Sequence, residues 1–206
     1  AWSEYWEGAA DGPDATTQAL RGESHAAALA AFWRPLIEQT LAGRAHTRLL
    51  DAACGSGVVG RIALELAKDS SDLDIEIHCS DYSPAAIASA ILPVAGRKRL
   101  GAAADARAMP YRDDAFDVVV TQFGLEYAGL GGFREAARVV APTGSFTAVI
   151  HLADGAIYRE CAGNLAVLRA VEGSGLLRLY ARLLTLAGRI DHGQAAPQAL
   201  NRLLTQ

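Results

Sequence analysis

Hydrophobic positions change period along the chain, and the change marks its elements. In the first stretch Leu29, Phe32, Trp33, Leu36 and Ile37 share one face of a helix built from strong helix formers beginning near Ser24, and Gly43 is placed to end it. From Thr47 the pattern alternates. Thr47 to Leu50 reads as a short strand and Val58 to Lys68 as a helix with Ile62, Ala63, Leu66 and Ala67 on one face. Asp74 to Ser80 is then a strand, Pro84 to Leu92 a helix and Leu100 to Ala104 a weaker strand. Two β-branched or apolar runs, Phe116 to Val120 and Ser145 to Ile150, are stronger strands, separated by a helix over Phe133 to Val140 and a turn at Pro142-Thr143-Gly144. Beyond His151 the strand signal stops. Ala156 to Gly188 reads as two Leu- and Ala-rich helices interrupted at Glu172 to Gly175, and Gln198 to Gln206 as a helical tail.

Strands alternating with helices imply an α/β protein: a three-layer α/β/α, doubly wound, mostly parallel sheet covered on both faces. The expected division is a helical N-terminal lid segment over 1–45, a core over 46–153 and a helical C-terminal cap over 154–206, together one structural domain. Five parallel strands are expected, with an open question at the far edge.

Composition narrows the class. Apolar residues make up 51% and charged residues 20% of the 206, which suits an ordered globular chain. A net charge of -4 provides no general basic field, so nucleic acid is not an expected partner. The Leu-rich stretch Leu176 to Leu186 is cut by Arg178 and Arg182, so no membrane span is expected. Cys54, Cys79 and Cys161 lie far apart without metal-ligand or disulfide spacing, so no metal site is expected and a reducing, cytoplasmic setting fits. No signal peptide is visible at the start.

The chemistry concentrates in Leu49-Leu50-Asp51-Ala52-Ala53-Cys54-Gly55-Ser56-Gly57-Val58-Val59-Gly60, a strand passing through a glycine loop into a helix. Gly55 and Gly57 can take positive φ and let a ligand approach the backbone at the carboxyl end of a central strand. Gly55-x-Gly57-x-x-Gly60 with Asp81 downstream also matches a dinucleotide fingerprint. Asp51 argues against that ligand, because a carboxylate before the loop adds negative charge where a pyrophosphate would sit; an acid there suits a cation better. Each residue also has a plainer reading: Asp51 as a cap for the following turn, Asp81 as a helix cap before Ser83-Pro84, Gly57 as a packing glycine, Cys54 as a small buried filler.

Taken together the motifs resemble the class I S-adenosylmethionine-dependent methyltransferases, from about Leu49 to Ile150. Leu-Leu-Asp51-x-x-Cys-Gly-Ser-Gly is similar to that family's first motif, and Cys-Ser-Asp81-Tyr-Ser-Pro to the acid ending its second strand. Ala104-Asp105-Ala106, Met109-Pro110-Tyr111 and Phe116-Asp117-Val118-Val119 resemble the adenine-side motif and fourth strand, and Glu135-Ala-Ala-Arg138 through Gly144 the entry to the fifth. The resemblance implies a Rossmann-like methyltransferase fold and S-adenosyl-L-methionine as cofactor, with S-adenosyl-L-homocysteine as product. It implies that Asp81 accepts the ribose hydroxyls, with Tyr82 beside it. Asp105 accepts from the adenine amino group, and the Ala106 amide faces the ring. Backbone near Gly55 and Gly57, with the Gln122 carbonyl, holds the amino-acid end; Asp51 and Ala53 belong to the same cofactor-side set. Two departures stand out: Ala53 replaces the family's usual glycine, and nothing after Gly188 reads as the antiparallel hairpin that usually completes the sheet.

Methyl transfer from a sulfonium is an in-line displacement with a neutral leaving group, so the protein mainly aligns the acceptor and excludes water. A base is needed only where the acceptor keeps a proton. Glu126, Tyr127 and His151 follow the fourth and fifth strands and are the catalytic candidates, His151 first. A small-molecule methyl acceptor is expected, because the segment after the fourth strand, Gln122-Phe123-Gly124-Leu125, lacks the motifs of base-modifying enzymes. Trp2 to Glu7 and Trp33 could form an aromatic lid, and Tyr158, Tyr180 and the neighbouring leucines an apolar acceptor pocket. An NAD(P)-dependent oxidoreductase and a non-catalytic nucleotide-fold scaffold are the alternatives; the oligomeric state is left open.

Overall fold

The computed structural model describes residues 23–68, 74–93, 99–196 and 198–199. The Trp2 to Glu7 segment and most of the tail lie outside them. The chain divides into two compact units, residues 1–150 and 151–206.

In the first unit, helix α1 (Glu23–Leu41) leads into β1 (His46–Ala52), α2 (Val58–Lys68), β2 (Asp74–Asp81), α3 (Pro84–Ala90) and β3 (Leu100–Ala103). Then follow β4 (Phe116–Gln122), a 3-10 turn (Leu125–Ala128), α4 (Gly129–Val139) and β5 (Val140–Val149). The five strands form one sheet in the order β3-β2-β1-β4-β5, and every neighbouring pair is parallel. All five carboxyl ends therefore lie along one edge. The chain runs outward from β1 through β2 to β3 and then returns to build β4 and β5 on the other side, which makes β1/β4 the switch point.

Successive strand residues point to opposite faces, so near-continuous apolar runs can fill two cores. Leu49, Val118 and Val120 pack with Trp33, Ile37 and Leu41 of α1, Val59, Ile62 and Ala63 of α2, and Ile87 of α3. Leu50 and Val119, one residue along, pack on the other face with Ala136 and Val139 of α4 and with Met109 and Leu125. Helices thus cover both faces, as the alternation implies.

Several boundaries differ from the sequence reading. Strands β1 and β4 run to Ala52 and Gln122, because parallel pairing continues beyond the most hydrophobic residues. Helix α4 begins at Gly129, earlier than the apolar spacing suggested. Pro142-Thr143-Gly144 is no turn ahead of a strand. It lies within β5, whose register on β4 jumps from Phe116–Val140 to Val118–Ser145, so the extra residues are absorbed as a bulge.

The second unit holds α5 (Ala156–Gly173) and α6 (Leu176–Asp191), which break at Ser174-Gly175, with Gly175 at φ 74°. Neither helix contains a buried residue. No helix among the described residues is long and apolar enough to cross a membrane.

Candidate functional site

The site is assembled from the loops that leave the strand ends on either side of the switch point. After β1 the chain turns sharply: Ala53, Gly55 and Gly57 all have positive φ, at 52°, 53° and 73°. Ala53 is the informative one. It takes the left-handed conformation that glycine adopts without strain, and so keeps the backbone path despite its side chain. Across from it the chain leaves β4 through Phe123, also left-handed at φ 53°. At Gly124 a Cβ would stand 2.6 Å from the Ala53 Cβ and 2.7 Å from its carbonyl oxygen. The two loops abut there, and only glycine fits.

Backbone bonds stitch the strand ends together. The Cys54 amide donates to the Ser80 carbonyl, the Ala104 amide to the Asp81 carbonyl and the Phe123 amide to the Val149 carbonyl, at 3.0, 2.8 and 2.8 Å. This edge carries the acids. Asp81 Oδ2 accepts from the Gly55 amide and Oδ1 from the Ser83 amide, each at 2.9 Å. Ser83, not Asp81, caps α3, its Oγ accepting from the Ala86 amide, with Pro84 opening the helix. Asp81 is thereby free of the capping role and is fixed against the glycine loop.

Asp51 lies beneath that loop, 1% exposed. Its Oδ2 accepts from the Gly60 amide in the first turn of α2, at 3.0 Å. Burial pushes its carboxyl up to about 7, against the Gly60 hydrogen bond and the nearby Arg99 cation, which favour the ionised form. Burial also raises Asp81, opposed by the Ser83, Gly55 and Tyr82 amides. Cys54 is half-buried, its thiol donating to the Gly55 carbonyl at 3.5 Å, and the neighbouring Cys79 together with burial pushes that thiol up.

On the adenine-side loop Asp105 has a partner that sequence spacing did not reveal. Arg107 Nε lies 3.0 and 3.1 Å from the two carboxylate oxygens and its Nη2 2.6 Å from Oδ2, while the Arg107 amide donates to Oδ1. This pairing holds the Asp105 carboxyl down at about 2. Glu135 of α4 accepts from the Met109 amide at 2.8 Å and is itself gripped by Arg138, so the loop after β3 is anchored to the helix that follows β4.

The structure thus brings Asp51, Ala53, Gly55, Gly57 and Asp81 into one cluster, with Asp105 and the half-buried Ala106 past the end of the adjoining strand. Tyr82 is 68% exposed. The Gln122 side chain accepts from the Trp33 indole Nε1 at 2.7 Å, and Trp33 itself is fully buried in the core. Glu126 and Tyr127 lie on the 3-10 turn after β4. His151 is the first residue of the second unit. Among the described residues no group of His, Cys, Asp and Glu could hold a metal ion.

Sequence reasoning missed Arg99 and Arg107. For Arg107 the spacing Asp-x-Arg was the available signal; for Arg99, 42 residues from the carbonyl it binds, there was none.

Comparison with known proteins agrees with this architecture. Residues 50–148 match the family described as a methyltransferase domain. Over 119 residues the chain is 31% identical to a demethylmenaquinone methyltransferase of Beutenbergia cavernae, covering 55% of this chain and 44% of that protein. Over 124 residues it is 30% identical to a ubiquinone/menaquinone biosynthesis C-methyltransferase of Dinoroseobacter shibae, covering 54% and 45%. The chain therefore spans less than half the length of each of these relatives. Among solved structures, the PH0226 protein of Pyrococcus horikoshii shares the fold, with a TM-score of 0.55 at 18% identity over 73% of this chain and 64% of that one. Five parallel strands, the glycine loop at the switch point and the match over residues 50–148 agree with one another: the part of the chain that builds the sheet is similar to a methyltransferase domain.

Proposed function

We propose that the chain binds S-adenosyl-L-methionine at the β1/β2/β3 edge and transfers its methyl group to a small-molecule acceptor by in-line displacement. The observation that carries the reading is the bond from the Gly55 amide to Asp81. A dinucleotide pyrophosphate needs that loop amide for itself, and would meet a carboxylate where it requires donors. A ligand with a ribose diol, an exocyclic amino group and positive charge instead finds acceptors at Asp81 and Asp105. The donor set fits the cofactor.

When bound, S-adenosyl-L-methionine would supply a methyl group on a good, neutral leaving sulfur. In this reading Asp81 takes the ribose hydroxyls and Asp105 the adenine amino group, with Tyr82 and the Ala106 amide beside the base. The Ala53–Gly57 backbone and Gln122 lie toward the amino-acid end, with Asp51 below them. Trp33 keeps the Gln122 side chain fixed, leaving its backbone carbonyl to the ligand. Glu126, Tyr127 and His151 are the groups offered as base for an acceptor that holds a proton. The net charge of -4 and the quinones in the names of both curated relatives support a small acceptor over a nucleic acid.

Calorimetry with S-adenosyl-L-methionine, S-adenosyl-L-homocysteine and NADPH tests this directly. Binding of the first two and not the third is expected; NADPH alone binding would establish the oxidoreductase reading, and no binding the scaffold. With an acceptor found by metabolite screening, His151→Ala is expected to slow turnover at least about a hundredfold while cofactor binding persists. Near-normal turnover would remove His151 as the base.

A further inference from the structure

We infer that Arg99 is the positioning residue of the cofactor loop, its guanidinium set beneath the loop to hold the Gly57 carbonyl and to sit beside the buried Asp51 carboxylate. The inference rests on the reading of that loop as the cofactor site.

Arg99 immediately precedes β3, on the far side of β2 from the loop it serves. It is only 5% exposed. Its Nη1 donates to the Gly57 carbonyl at 2.8 Å and its Nη2 to the Leu92 carbonyl, just past α3, at 3.0 Å. Nε has no hydrogen-bond partner. Two carbonyls therefore anchor the guanidinium, and one of them belongs to the cofactor loop.

The loop's glycines are shaped to this arginine. A Cβ on Gly57 would stand 2.7 Å from Arg99 Nη1 and 3.0 Å from the Ala90 Cβ, so the left-handed turn rests directly on the guanidinium. At Gly60 a Cβ would lie 3.5 Å from Asp51 Oδ2 and 3.7 Å from Arg99 Cδ. Asp51, the penultimate residue of β1, and the arginine stem thus both lie close to Gly60 in the first turn of α2. Arg99 and Asp51 each feel the other's charge.

Burying a guanidinium is costly, and an apolar side chain of similar size would fill the same volume without that cost. What an apolar residue could not do is hold the Gly57 carbonyl or offset Asp51. The nearby Arg99 cation favours the ionised form of Asp51, which burial disfavours. Removing Arg99 releases the carbonyl of Gly57, the third left-handed residue of the loop, and leaves Asp51 without its neighbouring cation.

The test compares Arg99→Met and Arg99→Lys with the wild type, by calorimetry with S-adenosyl-L-methionine and S-adenosyl-L-homocysteine and by thermal melting. Arg99→Met is expected to raise the Kd of both ligands at least about tenfold, a factor equal to about 1.4 kcal/mol. Arg99→Lys, which keeps the charge and one donor, should recover a large part of that loss, whereas a space-filling role would be served equally by Met. Wild-type affinity in a folded Arg99→Met protein, or equal losses in both variants, would overturn the inference. If Arg99→Met does not fold, Arg99→Gln, which lacks the charge, takes its place: a cofactor Kd raised at least about threefold over both wild type and Arg99→Lys supports the role, and an unchanged Kd in folded Arg99→Gln overturns it. Wild-type protein that binds neither ligand would instead bring down the cofactor reading itself, and the inference with it.

Discussion

Asp81 ends β2 and Asp105 lies just past the end of the adjacent β3, yet the fold treats them in opposite ways. Asp81 is half-buried and fastened by backbone amides of its own turn and of the glycine loop. Asp105 sits nearer the surface and is fastened by one residue, Arg107, whose guanidinium grips both carboxylate oxygens and whose amide donates to Oδ1. Burial raises the first carboxyl and a guanidinium lowers the second, so the directions of shift separate a site built from backbone from one built from a surface ion pair. Amides held by a sheet cannot move away; an exposed arginine can, and salt screens its pull. The β1/β2 side is therefore the rigid half of the proposed cofactor site, and the β3 side the adjustable half.

The sharpest way to break this comparison is to remove the rigid acid. Asp81→Ala deprives the proposed ribose hydroxyls of their acceptor and leaves the Gly55 and Ser83 amides without theirs. At roughly 1.5–3 kcal/mol for each hydrogen bond to a charged group, cofactor affinity should fall by about a hundredfold or more in calorimetry. A tenfold smaller effect than that of Asp105→Ala would reverse the assignment of rigid and adjustable halves.

A second probe addresses Asp51, which belongs to the rigid half but lies inside it. Burial lifts its native carboxyl from the ordinary 3.8 to about 7, so between those pH values the folded chain keeps a proton that the unfolded chain gives up. Stability should therefore fall as pH rises through that window and level off above about 7, by on the order of 2–4 kcal/mol. Asp51→Asn, whose amide oxygen can still accept from Gly60, should flatten this dependence in urea unfolding at pH 4.5 and 7.5. A steeper slope in the variant would contradict the burial account.

Ala53 offers a finer test of the backbone. Because it is held at φ 52°, Ala53→Gly should relieve strain and raise stability by about 0.5–1 kcal/mol, read as a higher melting temperature. Lower stability would mean that the contact between its Cβ and the neighbouring Gly124 outweighs the strain. The smallest effect is expected at the surface pair: Arg107→Gln should leave the melting temperature unchanged, while raising the low apparent pKa of Asp105 in a carboxylate titration followed by NMR. A clear drop in melting temperature would show the β3 side to be as rigid as the β2 side.

Much of the architecture was legible in the sequence because its signals are local. The 3.6-residue spacing of Ile62, Ala63, Leu66 and Ala67, the β-branched run before Gln122 and the Ser83-Pro84 helix start each depend on residues a few positions apart. The acids at strand ends and the glycine loop were legible for the same reason. The bulge at Pro142 to Gly144 was not, since proline and glycine mark a turn in isolation and only pairing with β4 shows that the strand continues through them.

By itself, then, the chain's order of residues determined which segments become strands and helices, that the strands run parallel, and which turn carries the glycines. Tertiary structure alone decided what each charged or polar group touches. Trp33 meets Gln122 across 89 positions, Arg99 meets Gly57 across 42, and Gly55 meets Asp81 across 26. Periodicity records the face a residue presents, but the energy of a buried charge depends on the partners and dielectric around it, and those exist only once distant segments have packed.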